Sequence, residues 1–254
     1  MDERGAVPGD VPGRHEGWTS EASSALALAG FLFLVFCGFT WLATGRLTAL
    51  DAYLNLEPAP SGWLPVLHLL DRVGQRAVCL PVLGLVVWAC CRRNGTLRPA
   101  VVAAGSVFTL NLLVLVLKLA LGRGQPAPAD PSFFIGGMAY PSGHTANIVL
   151  VYGLAVFLLG RYLGVRGRLA ALLWSAVSAL SVLMVVVSVS LNWHWFADLI
   201  AGLIVGGVVL ELTVAAEAVL PRSAFDEGLR GLWSAALDAV RRRTGMGARG
   251  NPST

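Results

Sequence analysis

His194 and Asp198 stand four residues apart in LNWHWFADLIAGLIVGG. On a helix that spacing puts both on one face. A carboxylate beside an imidazole fixes its tautomer and stabilises its charged form, which is what an activated histidine needs. The plainer alternative is a structural His–Asp hydrogen bond near lipid headgroups. A second polar island, AYPSGHTAN, sits at the edge of a long apolar run. Ser142, Gly143 and His144 fall where a helix is expected to begin. A helix start offers unpaired N–H groups and the positive end of a dipole, so an anion gains hydrogen bonds there. Gly143 permits close backbone approach, Ser142 adds a hydroxyl donor, and His144 can give or take a proton. Here the alternative is an ordinary serine cap with an incidental histidine. Lys118 is the only lysine of the chain and lies in SVFTLNLLVLVLKLALG. Its ammonium can snorkel toward the same layer, or simply toward headgroups. Lys118, Ser142, His144, His194 and Asp198 together would bind a phosphoryl group, attack it and protonate its leaving group.

Those residues need elements that bring them together. The chain has 254 residues, 56% of them hydrophobic and only 13% charged, with a mean hydropathy of +0.68. Soluble domains carry about 25% charged residues. Apolar runs long enough to cross about 30 Å of hydrocarbon recur along the chain. The expected fold class is an all-α membrane protein, a six-transmembrane-helix bundle. Helices are expected near Ala25–Ala43, Ala77–Cys91, Val101–Leu121, His144–Gly160, Leu169–Val189 and Phe196–Val219, giving a membrane domain over 25–219. Residues 1–24 read as a disordered cytoplasmic tail, and 220–254 as a second cytoplasmic tail with a short amphipathic helix. Between the first two spans, WLPVLHLLDRV reads as a short interfacial helix, with Trp63 at headgroup level.

The net charge of +4 is dispersed among loops without interleaved aromatics, which excludes a nucleic-acid partner. The four cysteines lie in or beside apolar runs, have no CxxC pairing, and read as small buried hydrophobes. Arg92, Arg93 and Arg98 in the second loop and Arg161, Arg166 and Arg168 in the fourth are unopposed by acids, and the tail carries Arg241–Arg243 in a row. The first loop instead balances its arginines against Asp51, Glu57 and Asp71. The bias of basic residues toward cytoplasmic loops then puts both termini inside and the PSGH loop outside. Heavy use of Arg, Ala and Gly suggests a bacterial plasma membrane. Phe133, Phe134 and Tyr140 are candidates for contact with lipid chains, and GLIVGG (Gly202–Gly207) for close helix packing within or between chains.

In its motifs the chain resembles the type 2 phosphatidic acid phosphatase superfamily, the membrane acid phosphatases related to vanadium haloperoxidases. That family has a Lys, six residues, then Arg-Pro, which here becomes Lys118 and Gln125-Pro126. It has Pro-Ser-Gly-His, intact here as Pro141–His144. It has Ser-Arg, five residues, His, three residues, Asp; here His194 and Asp198 match while the first pair is Val187-Ser188. The resemblance implies that His194 attacks phosphorus to form a phosphohistidine, Asp198 supports it, and His144 protonates the leaving oxygen. It implies that Lys118, Ser142 and Gly143 hold the phosphoryl oxygens, that no metal or other cofactor is needed, and that the substrate is a lipid phosphate or polyprenyl diphosphate. Both departures remove a phosphate-clamping arginine. Gln125 and Ser188 lack the charge and rigid fork of Arg, at a cost in transition-state stabilisation. Arg123, two residues before Gln125, is a candidate to compensate. The expected function is a membrane lipid phosphatase facing the extracytoplasmic side. The alternatives are a lipid phosphotransferase with the same His/His/Asp core, or a non-catalytic lipid-phosphate-binding or transport protein.

Overall fold

The computed structural model describes residues 13–55, 59–126 and 130–220, and for 13–19 the backbone alone. The expected amphipathic helix in the C-terminal tail lies outside the described residues. Helix α1 spans Gly13–Ala43, and two short helices follow, α2 (Thr48–Leu54) and α3 (Leu64–Asp71). A single 3₁₀ turn, Arg72–Gly74, leads into α4 (Arg76–Asn94) and then α5 (Arg98–Leu121). After a long loop come α6 (Gly143–Leu163), α7 (Gly167–Ser190) and α8 (Phe196–Val219). Helices α1, α4, α5, α6, α7 and α8 are each long and apolar enough to cross a membrane. Lipid supplies no hydrogen bonds, so a spanning segment must satisfy its backbone internally, as helices do.

The expected start of the first helix, Ala25, falls inside α1, so residues 13–24 are helical rather than unstructured. Ala22 and Ala25 are buried, and Glu21 pairs with Arg161 of α6 at 3.4 Å, which ties the polar extension to the bundle. Helices α6 and α8 form the centre, each more than half buried, while the other four spans are mostly open to lipid. Leu34, Trp41, Leu85, Phe108 and Leu172 are exposed, as suits a surface that meets hydrocarbon. Helix α8 packs along α1 on one side and against α6 on the other. Gly202 and Gly206 face α6: a Cβ on Gly202 would lie 2.2 Å from Thr145 Oγ1, and one on Gly206 would lie 2.7 Å from the Ala146 carbonyl oxygen. These small residues of GLIVGG therefore serve packing within the chain.

The two ends of the bundle differ in chemistry. At one end Arg98 is buried with Glu217, its Nε 3.0 Å from both carboxylate oxygens. Arg98 Nη2 also donates to the Glu217 and Leu220 carbonyls at 2.8 Å, and the Tyr162 hydroxyl donates to Glu217 Oε1 at 2.6 Å. The network joins the start of α5 to the ends of α6 and α8, and it makes Arg98 an internal ion pair rather than a loop charge. The other end gathers the close of α1, α5 and α7 and the start of α4, α6 and α8. There Gly122 ends α5 in the left-handed region at φ +52, its N–H capping the Lys118 carbonyl at 2.9 Å. The loop then doubles back, with Phe134 N donating to the Leu121 carbonyl at 2.8 Å and Ala139 N to the Arg123 carbonyl at 3.1 Å. This return places Pro141–His144 beside the end of α5.

Candidate active site

A cavity of about 740 Å³ opens at that second end. Lys118, Gln125, Gly143, His144 and His194 all line it. Of the remaining expected site residues, Ser142, Arg123, Ser188 and Asp198 are buried outside its lining.

His194 precedes α8, and Asp198 lies in the first turn of that helix. Asp198 Oδ2 accepts the Trp195 backbone N–H at 3.0 Å in a capping box and stands 3.4 Å from His194 Nδ1. With Nδ1 turned to the carboxylate, the proton belongs on Nδ1 and the lone pair on Nε2, the arrangement of a nucleophile. The other oxygen, Asp198 Oδ1, accepts Arg123 Nη1 at 2.6 Å. Arg123 Nη2 donates to Asp51 Oδ2, and Asp51 Oδ1 accepts the Ala197 backbone N–H at 2.9 Å. Burial pushes the Asp51 carboxyl above its usual range, against the pull of Arg123.

The location of Arg123 departs from its expected role. Its guanidinium is fully buried, donates through Nε to the Pro131 carbonyl at 3.1 Å, and lies 4.7 Å from the Phe133 ring centre. A fork committed on all these sides has no face for a phosphate. Arg123 stands instead behind Asp198, two steps from the cavity. Ser188 is likewise enclosed near the end of α7, where its carbonyl accepts the Trp193 N–H at 3.2 Å. Tyr140, expected to meet lipid, is fully buried, with its hydroxyl 2.7 Å from Thr40 Oγ1. Gln125 does face the cavity.

Ser142 precedes α6 with an extended ψ of 123, yet its hydroxyl caps nothing. Its Oγ is buried without a hydrogen-bond partner among the described residues, while its backbone N–H donates to the Asp198 carbonyl at 2.9 Å. That bond locks the PSGH turn to the helix that carries Asp198. Lys118, in the last turn of α5, donates through Nζ to the Met138 carbonyl.

His144 has a carboxylate of its own. Asp71 Oδ2 lies 3.6 Å from His144 Nε2, an ion-pair distance, and accepts Gln75 Nε2 at 2.9 Å. Asp71 is fully buried, and its Oδ1 has no partner among the described residues. The segment bearing it is clamped to α6: Asn147 Nδ2 donates to the Gly74 carbonyl at 3.3 Å and the Tyr152 hydroxyl to the Val73 carbonyl at 3.0 Å. A Cβ on Gly74 would lie 3.2 Å from His144 Cβ, so this backbone packs directly on the histidine. Asp51, Asp71, Gln75 and Arg76 were missed as site residues because they sit in the broken stretch between the first two spans. The one available signal was the polar cluster DRVGQR closing an apolar helix.

The PAP2 superfamily pattern matches residues 99–219. No curated protein matches the sequence. The fold is similar to a solved structure, a transmembrane PAP2 type phosphatidylglycerolphosphate phosphatase from Bacillus subtilis. The TM-score is 0.65 at 22% identity, covering 77% of this chain and 98% of that one. The matched segment carries Lys118, Ser142, Gly143, His144, His194 and Asp198, so over residues 99–219 the chain is similar to the PAP2 superfamily.

Proposed function

We propose that this chain is a membrane lipid phosphatase that hydrolyses a phosphate monoester or diphosphate through a phosphohistidine. One observation carries the reading: two imidazoles, each backed by a buried carboxylate, line a single cavity with an ammonium and the Gly143 backbone. In the first step the Nε2 lone pair of His194 attacks phosphorus. The P–O bond to the lipid breaks, and its electron pair goes to the leaving oxygen, which takes a proton from the His144 imidazolium. Asp198 supports the positive charge that develops on His194. Lys118, the Gly143 N–H and the Ser142 hydroxyl, once turned from its buried position, hold the phosphoryl oxygens. In the second step His144, now neutral, takes a proton from water; the hydroxide attacks phosphorus, the P–N bond breaks, and His194 is regenerated with release of phosphate.

The arginine distribution supports an extracytoplasmic site. Arg92, Arg93, Arg161, Arg166 and Arg168 all lie at the end of the bundle opposite the cavity, and basic loops favour the cytoplasm. The deciding experiment incubates detergent-purified protein with phosphatidic acid, phosphatidylglycerolphosphate and polyprenyl diphosphate, and measures phosphate release. The expected result is turnover of at least one, lost at least about 10³-fold in His194→Ala, with an acid-labile phosphoprotein trapped from the parent alone. Turnover or lipid movement that survives His194→Ala would overturn the reading. Phosphoryl transfer to an added alcohol without phosphate release would replace hydrolysis by phosphotransfer.

A further inference from the structure

Gln125 and Ser188 occupy the positions where the superfamily motifs put arginines, and Arg123 is enclosed between Asp51 and Asp198. Held between those two carboxylates, Arg123 supplies no charge to the cavity, and Lys118 and the His144 imidazolium are left to meet an entering phosphoryl group. Arg76, the first residue of α4, lines the cavity and is the only arginine to do so among the described residues. It lies outside the segment that matches the superfamily.

We propose that Arg76 is a substrate-binding residue that contacts the phosphoryl oxygens in place of the two absent motif arginines. The proposal rests on the lipid-phosphatase reading. Three observations support it. Arg76 is exposed to the cavity, and no carboxylate pairs with it among the described residues; the nearest acid in sequence, Asp71, is engaged by Gln75 and His144. Its backbone is rigid relative to the reacting groups, because Asn147 and Tyr152 of α6 hold the two residues before Gln75. It shares the cavity with Lys118 and Gln125, so an arginine fork and an ammonium are both available to one phosphoryl group. The positive charge returns by way of α4.

The test is a compensation series on the full-length protein, comparing parent, Arg76→Gln, Arg76→Lys and Arg76→Gln/Gln125→Arg. Two measurements are made: kcat and KM on the best lipid phosphate, and the affinity for vanadate, which mimics pentacoordinate phosphorus. Arg76→Gln is expected to lower kcat/KM about 10–100-fold and to weaken vanadate by a similar factor. Arg76→Lys should fall between, and Gln125→Arg should restore at least about tenfold of the loss. Each variant is checked by size exclusion and thermal melting in detergent. A folded Arg76→Gln with parental kcat/KM and vanadate affinity would overturn the proposal, as would a double variant no better than Arg76→Gln. A parent that turns over no lipid phosphate would sink the phosphatase reading instead. The vanadate comparison would then still decide whether Arg76 binds the anion, and a parent that binds no vanadate would overturn that as well.

Discussion

Replacing Arg123 by Met tests the buried charge cluster most directly. Methionine keeps much of the packing beneath Phe133 and Trp195 but removes every donor. Asp51 and Asp198, 1% and 0% exposed, are left close together without a cation. Breaking a buried ion pair by deleting one partner costs about 3–5 kcal/mol. An independent route gives a similar figure. A buried carboxylate relieves its charge by taking a proton, and at neutral pH this costs about 1.4 kcal/mol for each unit between the ambient pH and an ordinary carboxyl value near 4. Roughly 4 kcal/mol follows, and the backbone N–H groups of Ala197 and Trp195, which still reach the two carboxylates, reduce it somewhat. For a chain of this size that corresponds to a fall in melting temperature of about 8–16 °C. The sign with pH follows from Asp51, whose carboxyl burial has already raised. Without Arg123 it rises further above its unfolded value. The penalty is therefore full above that raised value and shrinks as pH falls toward the ordinary carboxyl range. Thermal melting in detergent at about pH 8 and about pH 5 reads this directly, with the deficit smaller at the acid end. Adding Asp51→Asn to Arg123→Met removes one orphaned charge and should recover part of the loss. An Arg123→Met protein as stable as the parent, or an Asp51→Asn penalty that simply adds to it, would refute the cluster as described.

Two further substitutions probe the site from other sides. Asp71→Asn removes the carboxylate behind His144 and should lower kcat by about 10–100-fold on an alkyl lipid phosphate with KM little changed. The loss should be much smaller on a nitrophenyl phosphate, whose leaving group needs little protonation; an equal loss on both would show that Asp71 does not act through the proton donor. Gly202→Ala forces a methyl to within 2.4 Å of the Ser142 carbonyl oxygen, which cannot retreat without disturbing the Ser142–Asp198 bond. It should cost about 1–3 kcal/mol in stability together with activity. Gly30→Ala, with nothing among the described residues within 4 Å of the new Cβ, is the control and should melt like the parent; identical behaviour of the two variants would remove the packing argument.

The spanning helices were legible because hydropathy is a property of long segments, and α8 begins and ends at the residues expected from it. The start of α1 was not, since its polar first residues carry no hydropathy signal and Glu21 meets Arg161 only once the helices are packed. The same distinction divides the site. His194 and Asp198 are four residues apart, so their encounter is local, but His194 lies in the turn before α8 and the cap at Trp195, not a shared helical face, brings it to the carboxylate. Asp71 and His144 meet only because the 3₁₀ turn at Arg72–Gly74 is pinned to α6, and nothing in the spacing of either residue announces that. Arg123 was placed by its nearness in sequence to Gln125, but the left-handed turn at Gly122 and the loop that doubles back send its side chain inward to two aspartates rather than outward to the cavity.

This division has a consequence for how such a site tolerates change. His194 and Asp198 are fixed by the capped start of α8 and one buried arginine, so they move as a unit. The carboxylate beside His144 and the proposed phosphate ligand Arg76 belong to a separate segment, Asp71–Arg76, whose position is set by hydrogen bonds from Asn147 and Tyr152 and by the absence of a side chain at Gly74. A motif arginine at position 125 and an arginine at position 76 approach the cavity from different elements, the loop after α5 and the start of α4. Either can supply charge without altering the geometry at His194 and Asp198. That independence is the physical reason the chain can depart from the motif at Gln125 and Ser188 while its two imidazoles keep their carboxylates.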